Sequence, residues 1–322
     1  MCSGIGETHC MKLGITGATG FIGSYLLDYL VEKTPLCIRA LARTLSNDTH
    51  RHNGRIEWMA GDLNSPTVCA DFVDGLDSVI HLAHTNIPLT SNRDLPGDAR
   101  ANLIPSLNLL ESIKNVGRCA HLVYASSGGA IYGCADMAAR EPLSETHPCN
   151  PVTSYGIQKH AFESYLRMAV GEGWIKATAL RIGNPYGVLL PPERMQGFIG
   201  IALHRILQGK PVRIIGDPEN VRDYIHLRDL CRFFECALDA PEEFQIYNVG
   251  SGQGHSVNQL LDIMTSIAGR QLEREILNYT ESEKHLVPWI ILSNRKAAHQ
   301  LGWSPCISVE EGLREMYRSG FR

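Results

Sequence analysis

Tyr155 and Lys159 stand four residues apart in the stretch Tyr-Gly-Ile-Gln-Lys, and Asn150-Pro151 announces the helix that holds them. Residues i and i+4 share one helical face, so the phenol and the ammonium point the same way. A free tyrosine, with a pKa of about 10, is a poor acid–base group at neutral pH. A neighbouring lysine charge favours phenolate and is expected to lower that value. The chemistry on offer is proton exchange with an alcohol or ketone oxygen. Tyr-x-x-x-Lys occurs by chance in many helices, so its weight depends on what else the chain supplies.

The chain supplies Gly-Ala-Thr-Gly-Phe-Ile-Gly at 17–23, directly after one β-rich run and at the opening of a helix. Gly17, Gly20 and Gly23 permit a tight turn and close backbone approach. The helix start they share with Thr19, Phe21 and Ile22 offers N–H groups and a positive dipole to a pyrophosphate. A tight strand–helix turn with no ligand is the bland alternative. A dinucleotide beside a Tyr/Lys pair points to hydride transfer, and the cation of an oxidised nicotinamide then adds to the lysine charge on Tyr155. The end of the second strand selects the dinucleotide. Ala42 stands where an acid would bond the ribose hydroxyls, and Arg43 beside it suits a 2′-phosphate. NADP is therefore expected, with NAD as the alternative and a solvated surface role as the competing view of Arg43. Asp62 and Leu63 end the third strand and Ala83 the fourth, all facing the cleft. Asp62 there can accept from the adenine amino group or serve as a helix cap.

These residues need a scaffold. Candidate strands at 12–16, 36–41, 56–59, 78–82, 121–125 and 176–182 alternate with helix-like stretches. In 22–31, for example, Ile22, Tyr25, Leu26, Tyr29 and Leu30 share a face. Such alternation predicts an α/β fold, a Rossmann-like doubly wound parallel sheet, with binding beyond the carboxyl ends of its strands. After Gly183 the regularity breaks at Pro185, Gly187, Pro191 and Pro192. Helices at 196–207, 257–267 and 309–317 and strands at 212–215 and 245–249 follow. They predict a smaller, partly discontinuous C-terminal substrate domain. The expected division is 11–182, with a returning segment of about 222–249, for the dinucleotide, and 183–221 with 250–322 for the substrate.

Composition narrows the class. The 322 residues are 44% hydrophobic and 20% charged with a formal charge of −4, which fits a globular protein and argues against nucleic-acid or anionic-membrane surfaces. Ten scattered cysteines form no Cys-x-x-Cys pair and read as reduced thiols. His81/His84 and His50/His52 lack further ligands, so no metal site is expected. With neither an apolar leader nor a run near the ~20 residues of a membrane span, a cytoplasmic enzyme is expected.

Further stretches carry a resemblance: Tyr-Ala-Ser-Ser-Gly-Gly-Ala-Ile-Tyr-Gly at 124–133, Arg-Ile-Gly-Asn-Pro-Tyr-Gly at 181–187, Gly216-Asp217 followed by Arg-Asp-Tyr-Ile-His at 222–226, and Leu-Gly-Trp at 301–303. With the glycine loop and Tyr155/Lys159, the chain from Lys12 to about Leu313 resembles the extended short-chain dehydrogenases/reductases that modify nucleotide sugars. That group holds 4-epimerases, 4,6-dehydratases and 4-ketoreductases. The resemblance implies that Tyr155 is the acid/base, and that Lys159 tunes it and contacts the nicotinamide ribose. It further implies that Asn184 and Arg222 hold the diphosphate of a small-molecule nucleotide sugar, and that helices of the main domain form a homodimer. A guanidinium suits a pyrophosphate, although a salt bridge to Asp217 or Asp223 would also occupy Arg222. Asn184 beside Pro185 can equally serve a turn.

Three departures matter. Gly128 stands where the family has Ser or Thr, so Ser127 is taken as the third catalytic and sugar-contacting group. The dehydratase pattern Thr-Asp-Glu would fall on Gly128, Gly129 and Ala130, which argues against 4,6-dehydration. An Arg-Pro-Gly-Asp-like turn expected near 278–284 is not recognisable. Two activities stay open. One is an NADPH-dependent 4-ketoreductase of a nucleotide-linked 4-keto-6-deoxyhexose such as a dTDP-sugar, which Arg43 favours. The other is an NAD(P)-dependent 4-epimerase of the UDP-glucose type. A non-catalytic dinucleotide sensor is a third class, disfavoured by the intact Tyr155/Lys159 pair. His84, Thr85, Asn86, Tyr186 and His226 are expected to shape the sugar pocket.

Overall fold

The computed structural model describes residues 11–45, 54–117, 119–133, 140–190, 197–239, 243–277 and 287–320. The first half runs β1 (Lys12–Thr16), α1 (Phe21–Lys33), β2 (Cys37–Ala42), β3 (Ile56–Ala60), α2 (Pro66–Val73), β4 (Ser78–His81), α3 (Pro88–Ser91) and α4 (Leu95–Val116). Next come β5 (His121–Ser127), α5 (Gly128–Ile131), α6 (Ser154–Gly171) and β6 (Lys176–Ile182). The remainder is β7 (Asn184–Tyr186), α7 (Phe198–Leu207), β8 (Val212–Ile215), β9 (Val221–His226), α8 (Leu227–Leu238) and β10 (Phe244–Val249). It closes with β11 (Gly254–Ser256), α9 (Val257–Ala268), β12 (Arg274–Leu277), β13 (Trp289–Ile290), α10 (Arg295–Leu301) and α11 (Val309–Ser319).

Seven strands form one parallel sheet in the order β3-β2-β1-β4-β5-β6-β10. All four residues of β4 are buried, as are all but one of β1, β5 and β6. A parallel sheet covered on both faces demands this. The α/β, Rossmann-like architecture expected from the alternation is the one observed. On one face Leu26 and Leu30 of α1 pack with Phe233 and Phe234 of α8, with Ile22, Tyr25 and Tyr29 at the margin. On the other, Phe72, Leu109, Ile113, Phe162 and Leu166 of α2, α4 and α6 share a second core. Each fully buried Leu or Phe contributes about 1.5–3 kcal/mol, whereas an exposed i,i+4 pair gives about 0.2–0.5. Packing, not surface pairing, therefore holds α6 and its Tyr155 in place.

The smaller part is built around β9, which pairs in parallel with β7 and β13 and antiparallel with β11. A parallel pair, β8 and β12, lies apart from it. Leu203, Leu260 and Leu313 centre the core formed with α7, α9 and α11. Ser256/Gln259 and Ser308/Glu311 form capping boxes that fix the starts of α9 and α11. The segment 222–249 is shared: β9 belongs to the small sheet, while α8 and β10 return to the large one. Among the described residues no helix is long and apolar enough to cross a membrane.

Candidate active site

β1 delivers the chain to Gly17, whose φ of +68° suits glycine. A Cβ there would stand 2.7 Å from the Ala83 amide nitrogen, and one on Gly23 would strike the Gly17 carbonyl oxygen. The Gly20 N–H closes the turn on that same carbonyl at 2.9 Å. Helix α1 starts at Gly20 with no side-chain cap, unlike α2, α4 and α6, which Ser65, Asp94 and Thr153 cap. Its first-turn amides are thus left for an anion. A cavity of about 540 Å³ begins at Gly17, Gly20, Phe21, Ile22 and Gly23 and ends among Ser127, Tyr155, Lys159, Asn184 and Arg222. This uncapped helix start, with glycines where the turn is closest, fits the pyrophosphate of a dinucleotide.

The remaining residues singled out for the cofactor lie outside that lining. Thr19 is exposed in the turn, and Ala83 donates its N–H to Thr16 Oγ1 at 3.3 Å. Arg43 directly follows β2 with an exposed side chain. Asp62 Oδ1 accepts from the Asn64 backbone and side chain at 2.8 and 2.9 Å, so it shapes its own turn and the cap of α2 is Ser65 instead. The Leu63 side chain is in the core, while its carbonyl accepts from Asn108 at 3.0 Å.

Tyr155 and Lys159 share a face of α6, as the spacing predicts. Lys159 is buried, and its Nζ donates to the Ala125 carbonyl at 2.7 Å, 5.6 Å from the Tyr155 ring centroid. Burial pulls its pKa down to about 7 against the opposing charge of Glu163. Glu163 is held by Arg181 at 2.8 and 3.2 Å and by the Ser126 hydroxyl at 2.6 Å. The Tyr155 phenol is raised by burial, with a hydrogen bond from Ser127 acting the other way. The expected lowering by lysine is therefore not met in the protein alone: desolvation dominates, and what opposes it is the Ser127 hydrogen bond. Ser127 is the hydroxyl brought to the phenol. A Cβ on Gly128 would lie 2.5 Å from Leu292 Cδ1 and 3.0 Å from the Arg181 carbonyl oxygen, which leaves no room for a side chain there.

His84 meets Tyr155 edge to face, ring centroids 4.7 Å apart, and its Nε2 has no hydrogen-bond partner among the described residues. Burial, then the Lys159 charge, hold His84 well below the usual histidine range. His81 is deeper, held down at about 3 by burial and by Lys159. Ser106 gives its proton to the Asn102 carbonyl (2.8 Å), so His81 Nε2 donates to Ser106 (2.9 Å) and its Nδ1 accepts from Thr16 (2.7 Å). Both ring nitrogens are used. Among the described residues no group of three metal-ligating side chains comes together, and the pair His50/His52 lies outside them.

A second buried cluster supports Tyr155. Asp98 of α4 is 2% exposed, and its carboxylate accepts from Asn86 (2.6 Å), Asn102 (2.8 Å), Ser154 (2.6 Å) and Gln158 (2.5 Å). Burying a carboxylate costs several kcal/mol. Four hydrogen bonds to a charged group, at about 1.5–3 kcal/mol each, offset it. Thr85 joins through Asn102 Oδ1, at 2.7 Å from its amide and 2.9 Å from its hydroxyl. Asp98, Asn102, Ser154, Gln158 and the Glu163–Arg181 pair were all missed from sequence. The available signal was the polar i, i+4, i+8 series Asp98, Asn102, Ser106.

At the far end Asn184 bonds the Tyr224 hydroxyl across paired β7 and β9. Arg222 Nη1 donates to the Val221 carbonyl at 2.8 Å, and its side chain lines the cavity. The Asp223 carboxylate is taken up by the amides of Ser251, Gly252 and Leu292 at 2.6–3.1 Å. Tyr186 lines the cavity with His226 edge-on behind it, centroids 5.3 Å apart. The turn expected near 278–284 lies outside the described residues.

Comparison with known proteins agrees with this fold. The family model of the NAD dependent epimerase/dehydratase family matches residues 13–250. The chain is 29% identical over 311 residues to dTDP-4-dehydro-6-deoxyglucose reductase of Escherichia coli, covering 95% of this chain and 96% of the relative. The crystal structure of UDP-glucose 4-epimerase from Thermotoga maritima with UDP-glucose superposes with a TM-score of 0.88 at 32% identity, covering 97% of this chain and all of that one. UDP-glucose 4-epimerase of Thermus thermophilus in complex with NAD gives 0.86 at 30%, covering 97% and 99%. The chain belongs to the NAD dependent epimerase/dehydratase family and is an NAD(P)-dependent enzyme of the extended short-chain dehydrogenase/reductase type.

Proposed function

We propose that the chain is an NADPH-dependent 4-ketoreductase of a nucleotide-linked 4-keto-6-deoxyhexose, a dTDP-sugar by preference. The observation that carries this reading is Arg43 directly after β2, exposed and preceded by Ala42 instead of an acid. A guanidinium there favours a 2′-phosphate and hence the reduced phosphate pool. An epimerase that recycles its dinucleotide has no use for that pool. The raised phenol adds support, since reduction needs a protonated Tyr155 at neutral pH.

A bound nicotinamide dinucleotide supplies the hydride. Tyr155 then gives its proton to the sugar oxygen as carbon 4 is reduced, and Ser127 orients that oxygen. Lys159 sets the phenol from behind. Gly17, Gly20, Phe21, Ile22 and Gly23 border the dinucleotide, while Thr19, Asp62, Leu63 and Ala83 stand outside the cavity lining. Asn184, from the smaller part 183–221 with 250–322, and Arg222, at the start of the returning segment 222–249, hold the sugar diphosphate. We place the reaction in the cytoplasm, where the unpaired described cysteines stay reduced. The chain acts as a homodimer through α4 and α6, which pack side by side and expose Ile104, Ile157, Tyr165 and Met168.

The two epimerase structures favour a second reading, NAD(P)-dependent 4-epimerisation of a UDP-sugar with the same residues. Mixing the protein with NADPH and a dTDP-4-keto-6-deoxyhexose separates the two. Loss of nicotinamide fluorescence is expected. No loss, with UDP-glucose instead converted to UDP-galactose, overturns the reductase reading.

A further inference from the structure

We infer that Asp98 is a positioning residue that sets the reaction centre through two arms. One arm runs to α6. Ser154 and Gln158, the residues immediately before Tyr155 and Lys159, donate to the same carboxylate oxygen, Oδ2. The α6 backbone is also tied to the segment ahead of α4: the Ser154 N–H donates to Asn92 Oδ1 at 2.8 Å and the Tyr155 N–H to Ser91 Oγ at 3.1 Å. The other arm runs to the loop after β4, where Asn86 Nδ2 donates to Oδ1. Asn86 lines the cavity. Because a carboxylate can only accept, its amide must turn the NH₂ toward Asp98, which leaves the carbonyl as the end able to meet a ligand.

The geometry is selective. All four side-chain partners are neutral donors that reach Asp98 from three segments: its own helix, the β4 loop and α6. An asparagine of equal size would set its own NH₂ against at least one of those donors. The first turn of α6 or the Asn86 amide would then move. Tyr155, faced by Ser127, His84 and Lys159, would lose its register with the bound substrate.

The inference rests on Tyr155 as the acid–base group and not on which sugar is turned over. Asp98→Asn is compared with the wild-type protein on whichever of the two sugar nucleotides is converted. The Tyr155 phenol is titrated by tyrosinate absorbance in the cofactor-bound protein, as the difference from Tyr155→Phe, which needs no sugar. Expected is a fall in kcat of ten- to a hundredfold, the order that a shift of about 1 Å in a catalytic group produces. The KM for the sugar nucleotide should rise, the KM for the dinucleotide should hold, and the phenol should titrate at higher pH. Ser154→Ala removes a single donor and should lower kcat several-fold, which keeps the test alive if Asp98→Asn does not fold. A lower melting temperature with kcat and the phenol titration unchanged would show mere structural support and overturn the inference. A wild-type phenol that does not respond to cofactor would instead remove the acid–base reading itself.

Discussion

At Tyr155 two opposing influences meet. Burial raises the phenol, and the Ser127 hydrogen bond lowers it, with burial ahead. In a proton donor that balance is useful, since the group enters the reaction protonated. Tyr155→Phe is expected to cut turnover by about 10²–10⁴-fold while fluorescence titration shows NADPH bound as before; retained turnover would remove the acid–base role. Arg43→Ala should weaken NADPH about tenfold or more, the loss of one charge-assisted contact of about 1.5–3 kcal/mol, and leave NADH unchanged. Equal losses would make Arg43 a surface residue. Both motifs were legible in the sequence because their spacing is local: four residues for Tyr155/Lys159, and one turn for the glycines. Asp98 was not, because its partners Ser154 and Gln158 lie 56 and 60 residues away.

Among the elements, β1, β4 and α4 are joined by Thr16, His81 and Ser106 at the carboxyl edge of the sheet. His81 titrates at about 3 in the folded protein against 6.5 in the free side chain. Between those values the unfolded chain binds the extra proton, so stability present above about 6.5 is lost as pH falls toward 3, by up to about 1.4 kcal/mol per unit. Lys159, held near 7 from 10.5, acts in the separate window above 7, where it makes stability rise with pH. His81→Gln should therefore flatten the acid side of a urea-unfolding series and leave the alkaline side alone. An unchanged acid slope would contradict the buried neutral imidazole.

The central strands were legible because burial on both faces makes them near-continuous apolar runs. Helix α4 was hidden. Pro96, Gly97 and Pro105 weaken its propensity, and its inward face starts with Asp98, Asn102 and Ser106 before turning to Leu109 and Ile113. A face that is polar because it holds the site breaks the very pattern used to find helices. β7, β11 and β13, of two or three residues, are too short to show a period of two.

For the whole molecule, the cavity joins the carboxyl edge of the parallel sheet to the sheet around β9, so Tyr155 and Arg222 line two differently built walls. The apolar stripe Ile157, Tyr165 and Met168 repeats at helical spacing on α6, away from that cleft. Replacing Tyr165 and Met168 by glutamate should convert a dimer to a monomer in sedimentation. A wild-type protein that already sediments as a monomer would dismiss the interface. The most direct test of the reductase reading follows the hydride itself, with NADPH carrying deuterium at its transferable position and a dTDP-4-keto-6-deoxyhexose as acceptor. Expected is one deuterium at carbon 4 of the product for each NADP⁺ released. A 4-keto sugar recovered unreduced with no NADPH consumed, while UDP-glucose offered to the same protein is inverted at carbon 4, would contradict it.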